Sequence, residues 1–448
     1  MGDFLSLLLT VHCFRPHKPG VVSSGDLFAE DEKKGHKAQQ TLSPTDSSFP
    51  RSEEWKRTVH TLATRYIEAG ELLDFFVDMR QLFGHYDCNR HTTNDVVRAV
   101  IIPSSIRIES EQGHGAAATL ATSSSADPGC QNNIDRDPAA GSATKLLGNA
   151  YVDRLRCGRS RRSGEVVYPQ RMVTHEWRNL FLHLVAAVLA DALGKDQFAS
   201  VAHKLRSKAG VLSLRKRLQK HNRQSIRYWI CAFCVNQHAA ICGGFGIEPD
   251  PASPEHTRFE ANRSDSVTGD YHRGCPCQEP KHWQGDLCEM NKFDEMMQLL
   301  HKQVPDLCQV VAMDRNFDLF SRVWCVAELV EALHSKISQN VCLVSKDLLD
   351  PDKGDLGIYM RLATLSVANC SAARQEDKDL IISKIEQAWG ISEFDARLQA
   401  TIFGPHGLLG KELVGFDVID AAARVAQRVK AISESEHIGV RANDHNVL

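Results

Sequence analysis

Three groups of residues carry side chains whose types and spacing could do chemistry. The first is Cys242, Cys275, Cys277 and Cys288, which with His272 and His282 frame a Gly/Pro-rich stretch from Gly243 to Gly285. A connection of that length is uncommon unless something ties it down. Four thiolates could do so by holding a tetrahedral Zn²⁺; the alternative is an untethered insertion with free thiols. Cys231-Ala-Phe-Cys234 also has metal-like spacing, but it sits in an apolar run without turn formers. Those two thiols read as buried structural cysteines. The second group lies on Ser321 to His334. At ~100° per residue, Val323, Val326, Ala327, Val330 and Leu333 form one apolar stripe, and Trp324, Glu328 and Glu331 share a different face. A tryptophan beside two carboxylates suits a cleft wall or a partner surface. It equally suits a solvated acidic face with the indole packed on a neighbouring loop. The third group is basic. Gln197 to Ile247 contains no Asp or Glu, while Lys204, Arg206, Lys208, Arg215, Lys216, Arg217, Lys220, Arg223 and Arg227 crowd its first part. This run would attract phosphates or an acidic partner, or is a solvated helix pair. It lacks the interleaved aromatics of a single-strand binding surface.

These residues need elements to position them. Strand-like runs fall at Arg171–His175, Tyr228–Val235, Gln309–Met313 and Asn340–Val344; helical runs fall at Asn179–Leu193, Glu289–Lys302, Ser321–His334, Ile382–Ala400 and Asp417–Ile432. Alternation of strands and helices is the pattern of an α/β domain with a parallel sheet. Ligands of such sheets bind at the carboxyl ends of the strands. His175, Asn236 and Asp314 fall just past three expected strand ends, and Glu176 follows His175. Upstream, Trp55, Val59, Leu62, Ala63, Tyr66, Leu72, Leu73, Phe76 and Met79 recur at helical steps. A short second helix over Thr93–Val100 is closed by Pro103. Residues 15–50 and the Gly/Ala/Ser-rich stretch 104–143 offer no packed face and read as unstructured.

The chain has 448 residues, 42% of them hydrophobic, which fits two to three domains with a sizeable core. Fifty-three Lys+Arg against 56 Asp+Glu leave a net charge of -3, which argues against a polybasic nucleic-acid binder. No apolar run reaches the ~18 residues of a membrane span. Fourteen cysteines without an export signal read as thiols or metal ligands in a reducing, cytoplasmic setting. Met1-Gly2-Asp3-Phe4-Leu5-Ser6 fits the loose myristoylation pattern, although an acid directly after the glycine is unpromising. There is no G-x-G-x-x-G, P-loop, H-E-x-x-H or serine-hydrolase elbow.

Ser321-Arg-Val-Trp-Cys-Val-Ala-Glu-Leu resembles the Ser-x-x-Trp-Cys-x-x-Glu-Leu helix of Toll/interleukin-receptor (TIR) domains, and the preceding Val-Val-Ala-Met strand is similar to that fold's third strand. Met172-Val-Thr-His-Glu-Trp177 looks like its first strand and loop. Tyr228-Trp-Ile-Cys-Ala-Phe-Cys-Val-Asn-Gln-His238 resembles a segment of the related heterokaryon-incompatibility domains of fungi. Together with Cys288-Glu-Met-Asn-Lys-Phe-Asp294, the set is similar to a large protist family of TIR-like organisation, over about residues 94–410.

The resemblance implies a flavodoxin-like α/β fold. It also implies one of two functions. Some TIR domains hydrolyse NAD⁺, and the glutamate of their Trp-Cys-x-x-Glu-Leu helix, here Glu328, is catalytic. Trp177 or Trp324 could then stack on a substrate ring, with His175 and Asp314 as further substrate contacts at strand ends. Other TIR domains only self-associate or recruit partners, which would make this chain a homo-oligomeric scaffold. Two departures bear on the enzyme reading: the cysteine-bearing insertion replaces or expands the loop after the second strand, and Cys231 stands where the heterokaryon-incompatibility pattern has an acid. The expected organisation is an unstructured 1–50, a small helical element at 51–103, a linker at 104–145, and a TIR-like α/β domain at 146–432. That domain carries the insertion at 242–288, and a tail follows at 433–448.

Overall fold

A computed structural model describes residues 51–109, 145–156, 166–349, 362, 365–372, 374–403 and 407–409. The chain divides into two compact units, one built from Arg51–Ser345 with Ser371–Asp377 and the other from the remaining segments. The site-bearing unit is centred on a five-stranded sheet of order β1-β5-β4-β6-β7. Its strands are β1 (Ile67–Glu68), β4 (Arg171–His175), β5 (Arg227–Ile230), β6 (Cys308–Ala312) and β7 (Ser338–Cys342); β2 (Ile106–Glu109) and β3 (Lys145–Gly148) form a separate antiparallel pair. β4 pairs in parallel with β5 and β6, and β6 with β7. The architecture is mixed α/β and compatible with the flavodoxin-like class.

Taking β4 as the first strand of the parallel set, the second (β5) lies on one side and the third (β6) on the other. The strand order therefore reverses at the β4/β6 junction, the position at which sheets of this kind bind ligands. β4 and β6 are buried along nearly their whole length, as strands covered on both faces must be.

The 51–103 element contributes a strand to this sheet. Helix α1 (Glu53–Ala63) is capped by Ser52, whose Oγ accepts from the Trp55 N–H. It leads into β1, which pairs antiparallel with β5 through Ile67 and Tyr228. Helix α2 (Ala69–Leu82) then buries Leu72, Leu73, Phe75, Phe76 and Met79 against α3 (Phe181–Ala192). Phe75, Phe181 and Phe233 meet edge-on or tilted in one aromatic cluster. Thr93–Val96 continues as a π-helical turn over Val97–Ile101 and a last turn at Ile102–Ser104.

Two expected elements differ in detail. The apolar run Tyr228–Val235 is a strand only to Ile230, after which Cys231–Cys234 coils into a single helical turn that buries Ala232, Phe233 and Cys234. Continuous apolarity marks burial in either geometry and cannot separate them. The basic run forms α4 (Ala199–Leu205) and α5 (Lys208–Lys220). The long helix expected over Ile382–Ala400 is two, Gln375–Ala388 and Ile391–Phe403, parted at Gly390 with φ 79°. At that backbone conformation glycine is favoured and a helix stops. The helix expected over Asp417–Ile432, the Gly2 pattern and most of the linker lie outside the described residues. Helix α6 (Phe293–Gln303) and helix α7 (Val323–His334) fall close to expectation. Among the described residues, no helix is long and apolar enough to cross a membrane.

Candidate functional site

The polar chemistry at the β4/β6 junction begins in three strand interiors. Gln339 of β7 donates from Nε2 to Gln309 Oε1 at 2.7 Å. Gln309 of β6 donates in turn to Thr174 Oγ1 at 2.7 Å. Thr174 of β4 donates its hydroxyl proton to Glu328 Oε2 at 2.6 Å. Gln309 and Thr174 are fully buried, so each of these bonds replaces lost water. The relay fixes the hydroxyl's polarity: because Thr174 accepts from Gln309, its own proton points at Glu328.

Glu328 sits on α7, where it is partly accessible yet surrounded by protein. Burial pushes its carboxyl up to about 7, against the opposing bond from Thr174. Cys325 and Cys231 lie close enough to feel its charge, and burial raises both thiols, Cys231 to about 12. Trp177 donates its indole N–H to Cys231 Sγ at 3.2 Å. One expected ring, Trp177, therefore adjoins the cysteine that borders Glu328. Trp324, the other expected ring, is partly buried. It packs on Phe293 of α6 with ring centroids 5.5 Å apart, and Glu331 bonds Gln298 of the same helix at 3.2 Å. The three residues expected on one face therefore part company: Trp324 and Glu331 meet α6, while Glu328 meets Thr174 of β4.

His175 ends β4 and is 5% exposed; neither ring nitrogen has a hydrogen-bond partner among the described residues. Burial lowers its pKa to about 4, with the Val173 backbone and Glu176 opposing the shift, so the ring is neutral. Glu176 is held between Arg178 at 2.9 Å and Arg322 at 3.1 Å. Asp314, the other substrate contact expected at a strand end, is buried just past β6. Its carboxylate accepts the N–H groups of Asn316, Asp318 and Leu319 at 3.0, 2.8 and 2.8 Å. It thereby organises the turn in which Phe317 adopts φ 60°. Asn236 likewise caps the turn Gln237–Ala240, its Oδ1 accepting from the His238 N–H.

The cysteine-bearing insertion gathers three of its four expected thiols. Cys242, Cys275 and Cys277 meet with His238, their ligand atoms all within 4.8 Å of one another. Cys288 is not in this group, and the fourth place belongs to His238. The signal for it was in the sequence: His238-x-x-x-Cys242 puts both side chains on one face of a helical turn. Cys242 Sγ lies 3.4 Å from Cys277 Sγ, and His238 Nδ1 lies 3.4 Å from Cys277 Sγ and 3.5 Å from Cys275 Sγ. Three sulfurs and one imidazole nitrogen are a donor set that suits a metal ion such as Zn²⁺. His272 and His282 stand elsewhere: His272 pairs with Asp95 at 3.1 Å, and the His282 N–H donates to the Ala239 carbonyl.

The basic run is partly engaged, with Arg206 on Asn89, Arg215 on Asp74 and Arg227 on the Tyr168 carbonyl. Lys208, Lys216, Lys220 and Arg223 remain exposed. No family model, curated protein or solved structure matches the chain.

Proposed function

We propose that the chain is a TIR-like module that hydrolyses NAD⁺ at the nicotinamide–ribose bond, with Glu328 as the reacting carboxylate. One observation carries the reading. A carboxyl raised to about 7 lies on the helix beside the β4/β6 junction, anchored by Thr174. A perturbed carboxyl beside the point where strand order reverses is where an acid–base or charge-stabilising group is expected. As the C1′–N bond breaks, its electron pair leaves with neutral nicotinamide and positive charge builds on the ribose. Ionised Glu328 stabilises that charge. Water then adds to C1′ and gives up a proton, yielding ADP-ribose. Neutral His175 and Trp177 are the substrate contacts in this reading, and Trp324 supports α7 from behind.

The test is NAD⁺ turnover by the full chain beside Glu328→Ala, with products identified. Nicotinamide release lost only in the variant supports the assignment. Equal release by both, or none by wild type at high protein concentration, overturns it.

The second reading is a non-catalytic scaffold that self-associates through TIR-like contacts. The exposed cationic face of α5, which also presents Leu212 at 58% exposure, favours it. Its measure is the mass of the full chain in solution across salt concentrations, with Glu328→Gln leaving assembly unchanged. In both readings a structural Zn²⁺ in the cysteine-bearing insertion belongs to the proposal, separate from the chemistry at Glu328.

A further inference from the structure

We infer that His238, not Cys288, completes a Cys₃His zinc site with Cys242, Cys275 and Cys277, and that it binds through Nδ1. The inference rests on the structural-zinc reading and adds the ligand set, the coordinating atom and the charge balance.

Tetrahedral Zn²⁺ with Zn–S of about 2.3 Å and Zn–N of about 2.0–2.1 Å holds its donor atoms roughly 3.5–3.8 Å apart. The three donor separations of 3.4, 3.4 and 3.5 Å approach that spacing. Such short contacts among polar atoms are those of a preformed cage.

The histidine's second nitrogen decides which atom can ligate. Ser105 Oγ lies 2.7 Å from the Ile101 carbonyl, to which it donates, so towards His238 Nε2 at 3.0 Å it acts as acceptor. Nε2 therefore carries the proton and Nδ1 presents its lone pair to the sulfurs. An outer partner that fixes tautomer and ring orientation is the usual companion of a metal-ligating histidine. The ring's seat is equally specific. A Cβ at Gly148 would stand 1.9 Å from His238 Cγ, so only glycine admits the imidazole at this depth.

Charge is balanced as well. Three thiolates and a neutral imidazole around Zn²⁺ leave one negative charge. Lys281 Nζ donates to Cys242 Sγ at 3.0 Å and to the His238 carbonyl, supplying the compensating positive charge beside the site. With four protein donors no position stays open for water, so the metal is structural. It would fasten the 275–277 segment of the insertion to the 238–242 turn. The Cys275 N–H already donates to the Cys242 carbonyl, and the Gln278 N–H to the Leu146 carbonyl.

The experiment is elemental analysis and X-ray absorption of the purified full chain, with His238→Ala and Cys288→Ser alongside. The expected result is one zinc per chain in a sulfur-three, nitrogen-one shell, retained in Cys288→Ser and lost in His238→Ala. If His238→Ala fails to fold, the wild-type shell still decides. A four-sulfur shell, or zinc lost with Cys288 and kept without His238, overturns this ligand set while leaving a structural zinc standing. Folded wild type that carries no zinc and takes none from added Zn²⁺ overturns both.

Discussion

Thr174 and Glu328 are joined by a 2.6 Å hydrogen bond between a strand interior and the helix beside the sheet's reversal point. The bond favours the ionised carboxylate, and burial favours the neutral acid. Burial wins, since the carboxyl rises from 4.5 to about 7. The folded state thus binds a proton that the unfolded chain has already released between those values. Stability is fully present below 4.5 and declines as pH rises through about 7. A rise of this size corresponds to on the order of 3 kcal/mol. Denaturant midpoints of Glu328→Gln and wild type should agree near pH 4, with the variant ahead at pH 8. Thr174→Val should push the Glu328 carboxyl higher still, read by carbon-13 titration of the side chain. It should also cost about 1–3 kcal/mol by leaving Gln309 Nε2 without an acceptor.

Arg65 predicts that the N-terminal helices cannot be separated from the sheet. Its guanidinium meets Glu289 at 2.6 Å, Asp153 at 2.9 Å and the Cys234 carbonyl at 3.0 Å. It is almost wholly buried, and Glu289 also accepts the Asn236 N–H. Removing one partner of a buried pair leaves the others charged and unmatched, at a cost of about 3–5 kcal/mol. Arg65→Met should therefore lower stability by that order in urea denaturation. A chain beginning at residue 146, which lacks Arg65, β1 and α2, should fail to fold.

The parallel strands and helix α7 were legible because each depends on local pattern, and the grouping of Cys242, Cys275 and Cys277 because a connection of that length needs a tie. A strand buried on both faces reads as a continuous apolar run, and a helix reads as a stripe. The Thr174–Gln309–Gln339 relay was not legible. Its members lie on three strands and meet only through the register that sets Thr174 opposite Val311. β1 was missed because two residues give no period, although Ile67 is fully buried. The end of β5 at Ile230 was missed for the opposite reason: the buried turn after it is as apolar as the strand. Trp324, Glu328 and Glu331 were read as one face of α7, but α6 covers the first and last while β4 takes Glu328, and that division is a tertiary fact.

The thiols of Cys231 and Cys234 are both pushed up to about 12 by burial. The nucleophile in alkylation is the thiolate, so at pH 7–8 both should be inert in the folded protein. Cys231 retains some solvent access, which makes it the sharper case. Mass mapping after iodoacetamide treatment should find neither modified in native protein and both modified in denaturant. Rapid labelling of Cys231 would mean that the Trp177 bond does not close over it.

Asp265 ties the insertion to the segment after α2 and should govern stability at acid pH. Its carboxylate accepts from the Val267 and Thr268 N–H groups at 2.8 and 3.0 Å, and faces His85 at 3.0 Å and His91 at 3.3 Å. His91 Nδ1 accepts the Asp87 N–H at 2.7 Å, so its proton is on Nε2, aimed at Asp265. The same proton bars Nε2 from ligating a metal. Burial works against ionised Asp265, but the Thr268 N–H, His85 and the Val267 N–H outweigh it, and the carboxyl lies well below its usual range. A depressed acid contributes stability above its unfolded value of 3.8 that is lost as pH falls through its folded value. Asp265→Asn would turn an amide N–H towards the His91 N–H, two donors face to face. The variant should lose about 1–3 kcal/mol at pH 7. That gap should narrow as pH falls below 3.8, because wild type gives up its own carboxylate there. Urea midpoints of the two proteins across that range check both the size and the sign.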